Sequence, residues 1–107
     1  MTPHQEYTLV FAPEVVGHLK FIEPKYHPLI KKAVKEQLRF TPTLAVRNRK
    51  NLHQPAPFGA TWELRFGPNN RFRVFYDVNQ SEKIVQILAI GIKEGNSLFV
   101  AGKEFHS

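Results

Sequence analysis

Residues 60–78 read ATWELRFGPNNRFRVFYDV, and the remainder of the chain is best understood outward from them. Two alternating runs, Trp62-Glu63-Leu64-Arg65-Phe66 and Phe72-Arg73-Val74-Phe75-Tyr76, flank Gly67-Pro68-Asn69-Asn70. Successive side chains of a strand point to opposite faces, so alternation about a Gly/Pro/Asn cluster signals a β-hairpin. Trp62, Leu64 and Phe66 share one face of the first run, with Glu63 and Arg65 on the other. Phe72, Val74, Tyr76 and Val78 share a face of the second, leaving Arg71, Arg73, Phe75 and Asp77 opposite.

Both apolar faces must lie on one side of the sheet, so directly paired residue numbers must sum to an even value. A plain four-residue loop pairs Phe66 with Arg71 and breaks that parity. The sequence therefore predicts a five-residue connection, 67–71, or a bulge. In that register Arg65 stands opposite Arg73. Like charges directly opposite each other destabilise a sheet, a cost best tolerated where an anion sits between them. The ordinary alternative is a solvated network in which Glu63 and Asp77 pair with the two arginines, worth little energy.

The 107 residues suit a single domain, 1–107, with a modest core. A hydrophobic content of 42% and nine Phe argue for a globular chain. No apolar run approaches a membrane span, and MTPHQEY has no apolar leader segment, so a cytoplasmic location without membrane contact is expected. The chain has no cysteine, and its five histidines, His4, His18, His27, His53 and His106, lack ligand spacing, so no metal and no other cofactor is expected. Phosphate-loop, dinucleotide and serine-nucleophile motifs do not occur. Net charge is +6 and unevenly placed. Between Gln37 and Trp62 there is no acid, whereas Arg39, Arg47, Arg49 and Lys50 fall there, and Arg65, Arg71 and Arg73 follow. Such a concentration fits a polyanionic partner, with a basic face kept for solubility as the alternative.

Working outward, residues 6–11 alternate as a first strand. Ala12-Pro13-Glu14 opens a helix with Val15, Val16, Leu19 and Ile22 at helical spacing, and Pro24 stops it. A second helix runs from about Tyr26-His27-Pro28 to Phe40. Leu29, Ile30, Ala33, Val34 and Leu38 lie on one side and Lys31, Lys32, Lys35 and Arg39 on the other. Residues 41–59 read as a long basic loop holding three of the eight prolines. Residues 81–93, SEKIVQILAIGIK, form a long central strand whose odd face runs Val85, Ile87, Ala89, Gly91, Lys93. The tail, 97–105, is expected to be short, with a helical turn as its candidate structure. The result is an α+β fold in the order β-α-α-β-β-β, a helical hairpin packed on a small, mostly antiparallel four-stranded sheet.

This order, with W-E-L-R-F, R-F-R-V-F-Y-D-V and I-L-A-I-G-I-K-E, resembles the RelE/ParE superfamily of toxins from type II toxin–antitoxin systems, over roughly residues 6–105. The resemblance implies a RelE-like fold and a cognate antitoxin partner. For the RelE branch it implies a ribosome-dependent endoribonuclease that cuts mRNA by attack of a ribose 2′-OH on the adjacent phosphate, with no metal. For the ParE branch it implies inhibition of gyrase. A weakened member kept as a binding module is a third possibility. By motif position Arg73 matches the family's phosphate-binding arginine, Arg65 a basic position of the preceding strand, and Lys93 the basic residue that protonates the leaving group or clamps the phosphate. Phe99 stands where several active relatives carry a tyrosine, and a phenyl ring carries no proton. The resemblance leaves Glu63 and His106 as candidate bases, with Glu63 also a charge partner for Arg65. Arg47, Arg49, Lys50 and Arg71 are candidate contacts to ribosomal RNA or mRNA. Phe75 either stacks on a base or fills a second small core beneath the long loop. Tyr76 and Trp62 are expected in the core.

Overall fold

A computed structural model of the chain describes residues 5–53 and 56–105. The hairpin has the register that parity requires. β3 (Trp62–Phe66) and β4 (Phe72–Asn79) run antiparallel, with Phe66 opposite Phe72, Leu64 opposite Val74, and Arg65 opposite Arg73. Their connection is the long one, closed by a 3-10 turn over Pro68–Asn70. Asn69 and Asn70 adopt left-handed φ values of 55° and 52°, which asparagine tolerates better than most residues. Gly67 is confined twice over. Its φ is 81°, and a Cβ there would lie 2.5 Å from Cδ2 of Phe72.

The remaining elements are β1 (Thr8–Phe11), α1 (Glu14–Leu19), α2 (His27–Leu38), β2 (Arg49–Asn51), β5 (Ile84–Glu94), β6 (Ser97–Val100) and β7 (Lys103–Phe105). The sheet therefore has seven strands rather than four. Its order is β2-β3-β4-β5-β6-β7, with β1 parallel to the first half of β5 and every other pairing antiparallel. The α+β class and the central position of β5 agree with the sequence reading.

The three extra strands have physical causes. β2 lies inside the stretch read as a loop and pairs with the free edge of β3 for only three residues. β6 and β7 replace the expected helical turn. Gly95, at φ 60°, and Asn96 turn the chain directly back onto β5, and Ala101 and Gly102, at φ 54° and 75°, reverse it again. Two successive positive φ values suit a two-residue hairpin, but alanine gives no compositional warning of one.

Both helices lie on one face of the sheet. Val15, Ile22, Ile30, Val34 and Leu38 meet Leu64, Phe72, Val74, Tyr76, Val85 and Ile87 in one core. Trp62 and Tyr76 belong to it as expected, their rings stacked at 6.1 Å. Val16 does not join it. It is 64% exposed, and His18 takes the buried position on α1. The Ile90 N–H donates to His18 Nδ1 at 3.2 Å, and burial holds the imidazole pKa below its ordinary value, against an opposing pull from Glu14. On the other face of the sheet Ala60, Phe75, Ala89 and Val100 form a second, smaller core.

The odd face expected of the last long strand is broken. Phe75 pairs with Ala89 but Tyr76 pairs with Ile87, so Leu88 is an extra residue in β5. This bulge reverses the parity of the strand. Val85 and Ile87 face the helices before it, whereas Ile90 and Ile92 do so after it. Ala89, Gly91 and Lys93 are thereby turned to the opposite face, in line with Arg73 and Phe75.

No helix among the described residues is long and apolar enough to cross a membrane.

Candidate anion-binding site

The face of the sheet away from the helices holds a cavity of about 610 Å³. Its cationic wall is Lys50 from β2, Arg65 from β3, Arg73 from β4 and Lys93 from β5, and Glu63 lines it with them. Strand parity explains the convergence. Lys50 pairs with Glu63, Arg65 with Arg73, and Arg73 with Gly91, so side chains from four strands emerge on one face. Gly91 carries no side chain beside Arg73, and Lys93 follows two residues later on the same side.

Glu63 is the hub. Arg65 Nε donates to its Oε1 at 2.9 Å, Arg73 Nη1 to its Oε2 at 3.4 Å, and Lys50 Nζ lies 4.0 Å from Oε1. Arg73 is further fixed by donating from Nε to the Asn70 carbonyl at 3.0 Å, so the hairpin turn itself aims the guanidinium. Burial pushes the Arg73 pKa down, while Glu63 pulls it back up and Arg65 lowers it. The arginine remains charged, since guanidinium does not lose its proton in proteins. Of the two acids proposed as partners for the arginines, Glu63 takes both. Asp77 instead accepts a hydrogen bond from the Thr61 hydroxyl.

The structure brings together five residues singled out from sequence: Lys50, Glu63, Arg65, Arg73 and Lys93. Others it sends elsewhere. Arg49 is a correction. Because it pairs with Leu64, it points to the helix face and is only 7% exposed, so it is no surface contact for RNA. Its Nη1 donates to the Thr41 carbonyl and, at 3.3 Å, to Thr41 Oγ1. Thr41 lies just past the C-terminal end of α2, and its carbonyl also accepts from the Leu44 N–H at 3.2 Å. Nearby, the Tyr76 hydroxyl donates to the Pro42 carbonyl at 2.6 Å, and burial raises its pKa.

Of the two roles open to Phe75, the core one holds and base stacking is the part corrected. At 2% exposure it fills the smaller core and presents no face for stacking on a base. Arg71 lies outside the cavity wall and reaches Glu94 at 3.6 Å. Arg47 is exposed but likewise outside the wall. His106 lies outside the described residues.

Phe99 changes meaning. It pairs with Ile92, on the helix side of the sheet, and lines a separate small cavity with His18, Phe21 and Ile90. A hydroxyl at this position would not face Arg73. The positions of β6 and β7 that do line the anion-binding site are Ser97, Leu98, Glu104 and Phe105, none of which sequence reasoning picked out. Ser97 Oγ lies 3.1 Å from Glu104 Oε2. With Leu52, Ala56 and Pro57 on the other side, the site is a cationic floor with partly apolar walls and a second carboxylate.

A small α+β domain with an arginine–lysine cavity on the open face of its sheet is thus the class that fold and site define. No family model matches the sequence. No curated protein matches it either. Among solved structures, the fold is similar to a chain of the toxin–antitoxin complex RelBE2 from Mycobacterium tuberculosis, at 20% identity and a TM-score of 0.67. The similarity covers 83% of this chain and 100% of that one.

Proposed function

We propose that this protein is the toxin of a type II toxin–antitoxin pair and acts in the cytoplasm as a ribosome-dependent, metal-independent endoribonuclease on mRNA. The observation that carries the reading is the convergence of Arg65, Arg73, Lys93 and Lys50 on one cavity. It is supported by a fold similar to a chain of a toxin–antitoxin complex. A cognate antitoxin is accordingly the expected protein partner, and mRNA with ribosomal RNA the nucleic-acid partners.

In this reading Arg73 and Arg65 hold the scissile phosphate. A ribose 2′-oxygen forms a bond to phosphorus as the bond to the 5′-oxygen breaks, leaving a cyclic phosphate and a free 5′-hydroxyl. The guanidinium groups stabilise charge that builds on the phosphoryl oxygens in the transition state. The Lys93 ammonium supplies the proton to the leaving 5′-oxygen. A cavity carboxylate takes the proton from the 2′-hydroxyl; Glu63, a candidate base by resemblance, is engaged by Arg65 and Arg73, so Glu104 is the group proposed for that step. His106 remains a second candidate.

The test is cleavage of mRNA in a translating extract. The wild-type chain should yield discrete cuts, and Arg73→Ala should reduce them by about 100-fold or more. Glu104→Gln should slow cutting without preventing antitoxin binding. Growth arrest with intact mRNA and inhibited gyrase would overturn the nuclease reading in favour of a ParE-like toxin.

A further inference from the structure

Arg65 and Arg73 stand directly opposite each other, and the anion that makes this tolerable is already present in the chain. Glu63 precedes Arg65 by two residues on the same strand, which puts it on the same face. Its two oxygens are divided between the two guanidinium groups, Oε1 to Arg65 and Oε2 to Arg73. That is how two non-bridging oxygens of a phosphate would be shared by two arginines. The Glu63 side chain is 8% exposed, whereas Lys50, its third cation, is 55% exposed and sits toward the cavity rim.

We infer that Glu63 is a tethered counter-anion that occupies the phosphate position of the cavity, and that a phosphate group binds by displacing it toward Lys50. This assigns Glu63 as a positioning residue that aims both arginines in the resting protein and weakens anion binding by competition. The inference rests on the reading of the cavity as a phosphate site, and not on RNA being cut. The site therefore selects a ligand able to offer at least two anionic oxygens to the arginines at once, since a singly anchored anion would not replace what the carboxylate already provides.

The experiment uses inorganic phosphate as the probe, titrated calorimetrically into the full chain with chloride adjusted to constant ionic strength. Glu63→Gln keeps the shape but removes the competing charge, and should bind phosphate about tenfold more tightly than wild type. Without phosphate this variant should melt below wild type, because the two arginines have lost their counter-anion, and saturating phosphate should close most of that gap. A purely structural role predicts the opposite pattern. Unchanged or weaker phosphate binding, or a melting deficit that phosphate leaves untouched, would overturn the inference. Should the variant fail to fold, the wild-type chain gives an independent answer by NMR. The Arg65 Nε–H and the Arg73 Nη–H resonances, the groups that donate to Glu63, should both shift on saturation with phosphate, and resonances that stay in place would refute displacement. Phosphate exchange at Glu63 with no mRNA cleavage would separate this inference from the nuclease reading.

Discussion

Arg49 and Lys50 are adjacent on β2, and strand geometry sends the first to the helices and the second to the cavity. Their substitutions should therefore fail in different ways. Arg49→Ala removes a buried side chain and the charge-assisted hydrogen bonds it donates to Thr41, so it should cost about 1–3 kcal/mol in denaturant unfolding. Lys50→Ala should leave stability almost unchanged, as exposed ion pairs contribute little, while weakening phosphate binding in the same calorimetric assay. Phe99→Tyr should not increase mRNA cutting, because the ring lies on the helix side of the sheet. A marked gain would mean that β6 is oriented differently in the working complex. His18 gives a pH signature. Its pKa is lowered in the folded chain, so the unfolded chain takes up more protons as the solution is acidified. Stability from this group is complete above the ordinary histidine value of about 6.5 and is lost as pH falls through it toward the folded value. Melting temperature should drop between neutral and mildly acidic pH, and His18→Gln should flatten that drop.

At the scale of elements, the bulge at Leu88 decides whether the site exists. Without it Lys93 would share a face with Ile87 and point to the helices. With it, Lys93 joins Arg73. The half of β5 beyond the bulge is also tightly fitted. A Cβ on Gly91 would lie 2.8 Å from the Phe99 carbonyl oxygen, a backbone atom of the neighbouring strand that cannot move aside cheaply. Gly91→Ala should therefore destabilise the protein by about 1–3 kcal/mol, read as a lower midpoint in denaturant, and should disturb β6 along with it. The hairpin itself was legible from parity alone, down to the pairing of Arg65 with Arg73, because a one-residue slip would have exposed an entire apolar face. The bulge was not legible. The sequence around Leu88 is apolar on both faces, so neither register carries a visible penalty. β6 and β7 were hidden for a related reason, since their turn depends on Ala101 accepting a positive φ.

Across the whole molecule, charge is disposed on two surfaces. The exposed side of α2 carries Lys31, Lys32 and Lys35, while the cavity cations lie on the far face of the sheet. Binding of a single-stranded RNA in the cavity should be steeply salt-dependent. Replacing Lys93 by Ala should lower the slope of log affinity against log salt by about 0.7, the release of one condensed counterion. What the sequence determined by itself was local and periodic: the helices, the hairpin, its register, and the opposition of two arginines that calls for an anion. Those follow from alternation and parity, which any single chain displays. Only the tertiary structure decided which anion is there now, which basic residues reach it, and which are buried elsewhere. Arg49 and Lys50 could not be told apart until β2 paired with β3, and Lys93 could not be placed until β5 bulged. Pairing with a distant strand sets the face on which a side chain emerges, and that pairing is a property of the folded sheet.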